Sequence, residues 1–294
     1  MQRLKTQRVK LGENNYQDII IKNHANNNDY FLNKDNLWIR NFGKKNCIPK
    51  DINNLYEKTE IETLLQNEVN NQKSKYIDLF SESITNKKVL IISDGFGYSS
   101  QNYWIDNIPD DVKIICVHGS LRFWKNQRLP DYYVFTNPFE NSMIYYPEMY
   151  FPFMITSTRS NHKFVSRYQN NVYVYNATPD EYYESSLSHN SANYIDEYRN
   201  AIAAAINLAY FMNAEKICLA YPIDAYKEER SATIKMGSAF VYPQQIMSSN
   251  IIDAMLFWYK FNRPSSKIFY CGIENMFHYA KYVKEESIFR FFDE

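Results

Sequence analysis

Two glycines that follow an apolar run near residue 90 form a pattern that could bind phosphate. The segment VLIISDGFG, residues 89–97, passes from four apolar residues to Asp94, Gly95 and Gly97, in a chain with only seven glycines. Glycine lets the backbone adopt positive φ or approach a ligand closely. A strand that ends in glycines before a helix is where α/β proteins bind phosphate. A tight strand-to-helix turn explains the same residues, because the three-glycine dinucleotide fingerprint is incomplete.

Other residues with useful chemistry stand at the ends of later apolar runs. His118 and Gly119 end VKIICVHG, residues 112–119, where an imidazole with a pKa of about 6.5 could serve as an acid or a base. Asp224 ends a second run, and its carboxylate could hold a ribose, bind a metal or cap a helix. A hydrogen-bonded loop histidine is the alternative for His118, and a simple turn is the alternative for Gly119. If the runs are strands of one parallel sheet, all three residues lie at the carboxyl edge, where open α/β sheets bind ligands.

Four further polar residues have weaker patterns. Arg122 and Arg159 lie near predicted strand ends and could neutralise a phosphate, and His162 and His189 lie in polar segments that could form a substrate lid. An ordinary surface position is the alternative for the two arginines and the preferred interpretation for the two histidines.

Several kinds of chemistry have no motif in this sequence. There is no D-x-D pair, which most metal-dependent GT-A transferases use to bind Mg²⁺ or Mn²⁺ through paired oxygen ligands. There is also no Walker A, G-x-S-x-G, H-E-x-x-H or EF-hand pattern. We therefore expect no metal site and either metal-independent chemistry or none.

The composition of the chain limits its partners and its cellular compartment. The 33 basic residues balance 33 acidic ones, so the chain lacks the positive field that nucleic-acid binding uses. No apolar run approaches the roughly 18 residues of a membrane span, and the N-terminus is too polar for a signal peptide. Four cysteines occur without C-x-x-C spacing, and Cys116, Cys218 and Cys271 lie inside apolar runs as buried thiols would. These features predict a reduced, cytoplasmic protein.

Predicted strands and helices, which must position these residues, alternate along the chain after residue 86. Continuous apolar runs predict strands, and two longer segments with an apolar face predict helices at 193–214 and 250–263. The predicted strands span 89–93, 112–119, 132–138, 151–158, 171–177, 215–226 and 266–275. Continuous apolar strands are typical of a parallel sheet covered on both faces. The sequence thus predicts a Rossmann-like, mostly parallel α/β domain over 87–294, with helices on both faces.

Residues 1–86 are predicted to form a separate polar segment. It contains a short strand candidate at Ile19 to Ile21 and, between 51 and 84, apolar residues at helical spacing that predict one long helix or two shorter ones.

The segment DEYRNAIAAAINLAYFMNAEKICLAYPIDAY, residues 196–226, resembles the helix–strand signature of 6-hydroxymethylpterin diphosphokinase-like (MptE-like) Rossmann proteins. It is also similar to the bacterial lipooligosaccharide sialyltransferases, a related GT-A-like family. In those enzymes an arginine opens the small-residue helix, and the next strand ends in Ile-Asp-x-Tyr. Arg199 and the segment 223–226 match these features. Asn137 lies in a Thr-Asn-Pro segment that resembles their Asn-Pro loop, and the likeness extends over about 87–283.

This resemblance implies roles for several residues. Tyr226 corresponds to the tyrosine that hydrogen-bonds the phosphate of the leaving nucleotide, and Arg199 and Asn137 correspond to the helix arginine and the loop asparagine. The first turn, Asp-Gly-Phe-Gly, departs from the Gly-Pro-Ser-Leu pattern of these families. The sialyltransferase lid histidine is also missing, because the corresponding segment 236–250 carries Gln244 and Gln245, which cannot accept a proton at neutral pH.

Together these observations favour a nucleotide-dependent transferase, namely a metal-independent glycosyltransferase that uses a nucleotide sugar and an unidentified acceptor. The nucleotide would lie over Gly95 and Gly97, with His118 as the candidate base and no tightly bound cofactor. One alternative is a diphosphokinase that uses ATP and Mg²⁺ on a pterin-like alcohol, with Asp94 and Asp224 as ligands. Another is a non-catalytic binding or structural module on the same fold.

Overall fold

The computed structural model describes part of the 294-residue chain. The described residues are 5–12, 15–21, 63, 66–67, 70–71, 75–76, 87–93, 95, 105, 107–124, 128–138, 153–168, 171–177, 194–195, 200–224, 229–231, 233–236, 239–284 and 287–288. All structural statements concern these residues.

One large parallel sheet organises the fold. Its strands are β3 (Lys75–Tyr76), β4 (Lys88–Ile92), β5 (Lys113–Val117), β6 (Tyr132–Phe135), β7 (Phe153–Ser157), β8 (Val172–Ala177), β9 (Tyr194–Ile195), β10 (Lys216–Ala220), β13 (Lys267–Cys271) and β14 (Lys281–Tyr282). The order across the sheet is β14-β13-β10-β4-β5-β6-β7-β8-β3, with β9 also pairing with β8. Every described pairing within this sheet is parallel.

Two small antiparallel pairs lie outside the large sheet. Strands β1 (Lys5–Gly12) and β2 (Asn15–Ile21) pair with each other, and so do β11 (Ile234–Met236) and β12 (Ala239–Val241). The strand predicted at residues 19–21 is confirmed as the end of β2.

Alternate residues of each central strand enter two different cores. In β4, Val89 and Ile91 join the core that contains both long helices, whereas Leu90 and Ile92 join the core on the opposite face. Burying each such aliphatic side chain contributes about 1.5–3 kcal/mol. Burial on both faces is the reason that the strands read as continuous apolar runs, and the predicted Rossmann-like α/β fold is confirmed.

Three α-helices are described from end to end, namely α1 (His162–Val165), α2 (Ala201–Phe211) and α3 (Pro243–Asn262). Both long helices, α2 and α3, contribute to the same core. The opposite core is closed by α1 together with residues of the connections, namely Ile105, Ile108, Val112, Leu121 and Trp124.

Several predicted boundaries are wrong. The helix predicted at 193–214 begins at Ala201, because the Asn200 side chain accepts hydrogen bonds from the first-turn amides and caps the helix there. The preceding residues Tyr194–Ile195 form β9 instead. Helix α3 begins at Pro243, seven residues before the predicted start, and proline suits the first helical turn because its φ is already fixed. The strand predicted at 215–226 ends at Ala220.

The segment before residue 87 contributes to the large sheet. Residues 63, 66–67 and 70–71 have helical backbone, as predicted for this region, but Lys75–Tyr76 forms β3 and pairs with β8 where a helix was predicted. The predicted domain boundary at residue 86 stays a prediction.

The three cysteines within the described residues, Cys116, Cys218 and Cys271, are buried thiols outside any disulfide, as predicted. Burial raises the pKa of Cys116 and Cys218 above the ordinary thiol value, so both stay protonated at neutral pH.

Among the described helices, none combines the length and apolarity that crossing a bilayer requires.

Candidate functional site

The carboxyl edge of the large sheet contains the candidate site. Because the strands are parallel, the residues after β4, β5, β6, β7 and β10 all lie along this edge. Strand β4 has β5 on one side and β10, which comes much later in the chain, on the other. The direction of chain progression therefore reverses beside β4. In open α/β sheets such a switch point creates the crevice where ligands bind.

Gly95 is needed for close packing on this edge. A Cβ atom at Gly95 would lie 2.5 Å from the carbonyl oxygen of Tyr221 and 2.8 Å from that of Ile223. The Ser93 amide also donates to the Ala220 carbonyl oxygen at 3.0 Å. The turn after β4 therefore rests directly on the turn after β10. This contact explains Gly95 without a phosphate, and a ligand role for it stays a prediction.

Two residues on this edge adopt a backbone conformation that is unusual for their type. His118, directly after β5, has φ of 48°, and Tyr221, directly after β10, has φ of 52°. Left-handed backbone is strained for a residue with a bulky side chain and is often found at functional sites. The amide of Tyr221 is fixed by a 3.1 Å hydrogen bond to the Cys271 carbonyl oxygen. The turn after β10 is thus held by the neighbouring strand β13.

His118 lies at the start of a 3₁₀ turn, His118–Phe123, and is half-buried. Its Nε2 atom lies 3.0 Å from Oγ1 of Thr136, the first residue after β6. This hydrogen bond fixes the imidazole between the ends of β5 and β6. An imidazole oriented by a hydroxyl at the mouth of a crevice can exchange a proton with a bound molecule.

The last residue of β7 and the loop after it form a run of buried polar residues, namely Ser157, Thr158, Arg159, Ser160 and Asn161. The Asn161 amide donates to the Asn137 carbonyl oxygen at 2.9 Å, which ties this loop to the loop after β6. The Ser160 hydroxyl donates to the Phe135 carbonyl oxygen at 3.2 Å. The two loops therefore form one hydrogen-bonded wall of the edge.

Two asparagines from the N-terminal segment fix that wall. Asn67 donates through Nδ2 to the carbonyl oxygens of Pro138 and Arg159, both at 3.1 Å. Asn71 donates to the carbonyl oxygens of Thr158 at 3.0 Å and Ser160 at 2.6 Å. The side chains are only 3% and 2% exposed. We call Asn67 and Asn71 the asparagine clamp.

His162 belongs to the same network. Its Nδ1 atom lies 3.0 Å from Oδ1 of Asn67, and the side chain is half-buried. The sequence favoured an ordinary surface position for His162, and the structure adds that it is hydrogen-bonded to Asn67 of the asparagine clamp.

Helix α2 is anchored at this end by its cap. Oδ1 of Asn200 accepts from the amides of Ile202 at 2.9 Å and Ala203 at 3.2 Å. Its Nδ2 donates to Oγ of Ser248 on α3 at 2.6 Å. One side chain thus starts α2 and joins it to α3.

The predicted site residues divide into two groups. The structure places Gly95, Gly119, Asn137 and Asp224 on one edge, after β4, β5, β6 and β10 respectively, together with His118. Asp94, Gly97, Arg199, Tyr226 and His189 lie outside the described residues. The segment expected to form a lid is regular structure where it is described: Ile234–Met236 and Ala239–Val241 are paired strands, and Gln244 and Gln245 lie in the first turn of α3.

Sequence reasoning missed the asparagine clamp and a second pair, Asp253 and His278. Nδ1 of His278 lies 2.7 Å from Oδ2 of Asp253, and Oδ1 of Asp253 accepts from the amides of His278 and Tyr279. The hydrogen bond and charge of Asp253 raise the pKa of His278 above its ordinary value. Asp253 lies midway along α3, and the His278 side chain is 81% exposed. This pair holds the loop after β13.

No group of three or more His, Cys, Asp or Glu side chains that could hold a metal ion occurs among the residues that the structure describes. Asp224 is the one described member of the carboxylate pair considered for Mg²⁺, since Asp94 lies outside the described part of the chain.

This parallel sheet, with its switch point and polar carboxyl edge, defines a Rossmann-like α/β protein. A solved structure, the MAf glycosyltransferase from Magnetospirillum magneticum AMB-1, has a similar fold, with a TM-score of 0.62 and 15% sequence identity. The likeness covers 78% of this chain and 39% of the glycosyltransferase chain, so this chain spans less than half of that protein's length. No curated protein matches the sequence.

The family model described as 6-hydroxymethylpterin diphosphokinase MptE-like matches residues 62–220, more than half of the chain. The chain therefore belongs to the MptE-like family, and the resemblance read from the sequence is confirmed. The matched region contains the asparagine clamp and strands β3 to β10.

Proposed function

We propose that the protein is a nucleotide-dependent transferase that moves a sugar from a nucleotide-sugar donor to an acceptor hydroxyl without a metal ion. The observation that carries this proposal is the switch point beside β4, where the ends of β4, β5, β6 and β10 meet at one edge. The MptE-like family and the glycosyltransferase fold of the solved neighbour support a transferase.

In this proposal the donor nucleotide lies over the turn of Gly95 and Gly97, near Gly119 and Asn137. The acceptor oxygen attacks the anomeric carbon, and its proton passes to His118. The bond from that carbon to the nucleotide phosphate breaks, and its electron pair stays with the phosphate oxygen. Tyr226 and Arg199 stabilise the charge that develops on this leaving phosphate, as preorganised donors do in transferase sites.

The orientation of His118 supports its role as the base. If Nε2 carries the proton and donates to Thr136 Oγ1 across their 3.0 Å contact, Nδ1 keeps the lone pair that accepts the acceptor's proton. Because Thr136 also lies at the edge, the histidine is oriented before any ligand binds.

A second candidate is diphosphoryl transfer from ATP to a pterin-like alcohol, which the name of the family favours. This reaction needs Mg²⁺ to neutralise the transferred phosphoryl groups. Asp224, half-buried after β10, and Asp94 would supply its ligands. A third candidate is a non-catalytic module on the same fold.

Thermal unfolding with added nucleotides distinguishes the three candidates. CMP, UDP, GDP and ATP would each be tested with and without Mg²⁺. A ligand at a hundred times its Kd stabilises the folded protein by about 2.7 kcal/mol. Stabilisation by CMP, UDP or GDP without Mg²⁺ supports glycosyl transfer, whereas stabilisation by ATP that requires Mg²⁺ supports the diphosphokinase. If none of the four stabilises the protein, the transferase proposal fails and the non-catalytic module remains.

A further inference from the structure

The loop after β7 carries a buried arginine. Arg159 is 6% exposed, and its neighbours Ser157, Thr158, Ser160 and Asn161 are buried as well. A guanidinium keeps its charge at every pH that a protein tolerates, and it offers five N–H donors. Water screens a buried charge less than an exposed one, so a buried guanidinium interacts more strongly with a negatively charged group.

The position of Arg159 on the fold is the second observation. It comes two residues after β7, and β7 pairs with β6, whose end carries Thr136 and Asn137. The loop that contains it is joined to Asn137 through the Asn161 amide. Arg159 therefore belongs to the same edge as His118.

The backbone of Arg159 is held in place from outside the loop. Its own carbonyl oxygen accepts from Asn67, and the carbonyl oxygens on either side, those of Thr158 and Ser160, both accept from Asn71. Three consecutive carbonyl groups are thus bound by two side chains that are themselves buried. Fixing a binding residue in advance lowers the entropy lost when its ligand binds.

We propose that Arg159 binds a phosphate group at the carboxyl edge of the sheet and that Asn67 and Asn71 position it. The planar guanidinium matches two oxygens of a phosphate, and hydrogen bonds of this kind are about twice as strong as neutral ones. Within the proposed function, which this inference rests on, the phosphate belongs to the donor nucleotide. Arg159 then adds a contact to those proposed for Arg199 and Tyr226.

Binding of inorganic pyrophosphate to the full chain, measured by calorimetry, tests Arg159 without requiring the correct nucleotide. Arg159→Gln removes the charge and should weaken binding by roughly 10- to 100-fold, the usual effect of losing a hydrogen bond to a charged group. Arg159→Lys keeps the charge without the planar fork and should give an intermediate affinity. Arg167→Gln is the matched control, because Arg167 is an exposed arginine a few residues away, and it should bind pyrophosphate as the unaltered protein does.

Asn71→Ala tests the positioning role, because it frees the carbonyl groups of Thr158 and Ser160 but leaves the guanidinium in place. Pyrophosphate affinity should fall several-fold. Its dependence on ionic strength should stay close to that of the unaltered protein, since no charge is removed. Arg159→Gln should reduce that dependence as well as the affinity. A residue that only stabilises the fold would lower the melting temperature and leave both binding readouts unchanged.

Either of two pyrophosphate results would overturn the inference: no binding by the unaltered protein, or equal binding by the protein and its Arg159→Gln variant. Arg159→Lys replaces Arg159→Gln if the latter does not fold. Failure of the proposed function gives a different result. In that case no nucleotide would stabilise the protein, but pyrophosphate binding would still depend on Arg159. Nucleotide binding that is indifferent to Arg159 would instead remove this inference and leave the proposed function intact.

Discussion

Gly95 and Tyr221 are packed so closely that no side chain fits between them: a Cβ atom at Gly95 would lie 2.5 Å from the Tyr221 carbonyl oxygen and 2.9 Å from the Tyr221 Cβ atom. These residues follow β4 and β10, the two strands on either side of the switch point. At the switch point the turns after β4 and β10 therefore contact each other directly, and the turn after β10 has strained backbone at Tyr221.

Gly95→Ala should lower the free energy of unfolding by about 1–3 kcal/mol, the usual cost of overpacking a close contact. The neighbouring atoms are mainly backbone, so they cannot move aside as a flexible side chain would. Urea unfolding of the variant and the unaltered protein measures the difference.

Gly272→Ala is the comparison for Gly95→Ala. A Cβ atom at Gly272 would meet nothing closer than 3.8 Å, so its cost comes from the backbone angle of 138° alone. Ligands that bind the crevice should lose affinity for the Gly95 variant and keep it for the Gly272 variant. A Gly95→Ala protein as stable as the original would show that the two turns do not touch.

Asn200→Ala should cost about 0.5–2 kcal/mol of stability, because the residue caps α2. Asn200→Ser keeps a capping oxygen but is too short to reach Ser248 as Asn200 does, so it should lose less. Ser248→Ala removes only the bond to Asn200. A double-mutant cycle between positions 200 and 248, followed by denaturant unfolding, should give a coupling energy of about 0.5–1.5 kcal/mol. Zero coupling would contradict the contact between the two helices.

The Asp253–His278 pair should make stability depend on pH. The folded protein raises the pKa of His278, so the stabilisation is complete below the unfolded value of about 6.5 and is lost as pH rises through the folded value. Because the histidine is exposed and screened, the effect should be no more than about 1 kcal/mol.

Asp253→Asn tests this prediction, because the amide oxygen still accepts from the backbone amides of His278 and Tyr279. The stability advantage of the unaltered protein over this variant should be larger at pH 5.5 than at pH 8.5, as measured by urea unfolding at both values. His278→Gln should show the same loss of pH dependence. An advantage that grows with pH would refute the assignment.

Tyr226→Phe addresses the residue that the family resemblance assigns to the leaving phosphate. With the nucleotide donor identified by the binding screen, its kcat should fall by roughly a hundred- to a thousandfold while KM changes little, because the bond strengthens as charge develops. The variant keeps the ring, so its melting temperature should stay nearly unchanged. A lower kcat with an unchanged melting temperature supports the assignment. A destabilised variant with normal turnover per folded molecule would show a structural tyrosine instead.

The sequence predicts the central strands well, because residues such as Val89 and Leu90 face opposite cores and both must be apolar. It predicts the helix before β10 only in part. Tyr194 and Ile195 fit the helical pattern, but their pairing with β8 decides their conformation. Pairing with a strand nearly twenty residues earlier leaves no local signal.

Likewise, only some residues of the candidate site could be predicted from the sequence. Gly95, His118 and Asn137 could be predicted because each directly follows or lies close to a predicted strand end. Asn67 and Asn71 could not be, because asparagine is common in this chain and their partners lie 71 to 92 residues away. The Asp253–His278 pair depends similarly on a contact between residues 25 apart.

The strand order has a consequence for folding during synthesis. Strands β4 to β8 pair with their neighbours in chain order. The other edge of β4 pairs only with β10, which is synthesised more than a hundred residues later. Until then an apolar strand that becomes fully buried keeps an unpaired edge, the kind of surface that promotes aggregation of nascent chains. Such distant pairings also slow folding. A ribosome-bound chain that ends before residue 216 should therefore depend on chaperones, whereas one that extends beyond β10 should be able to close the sheet.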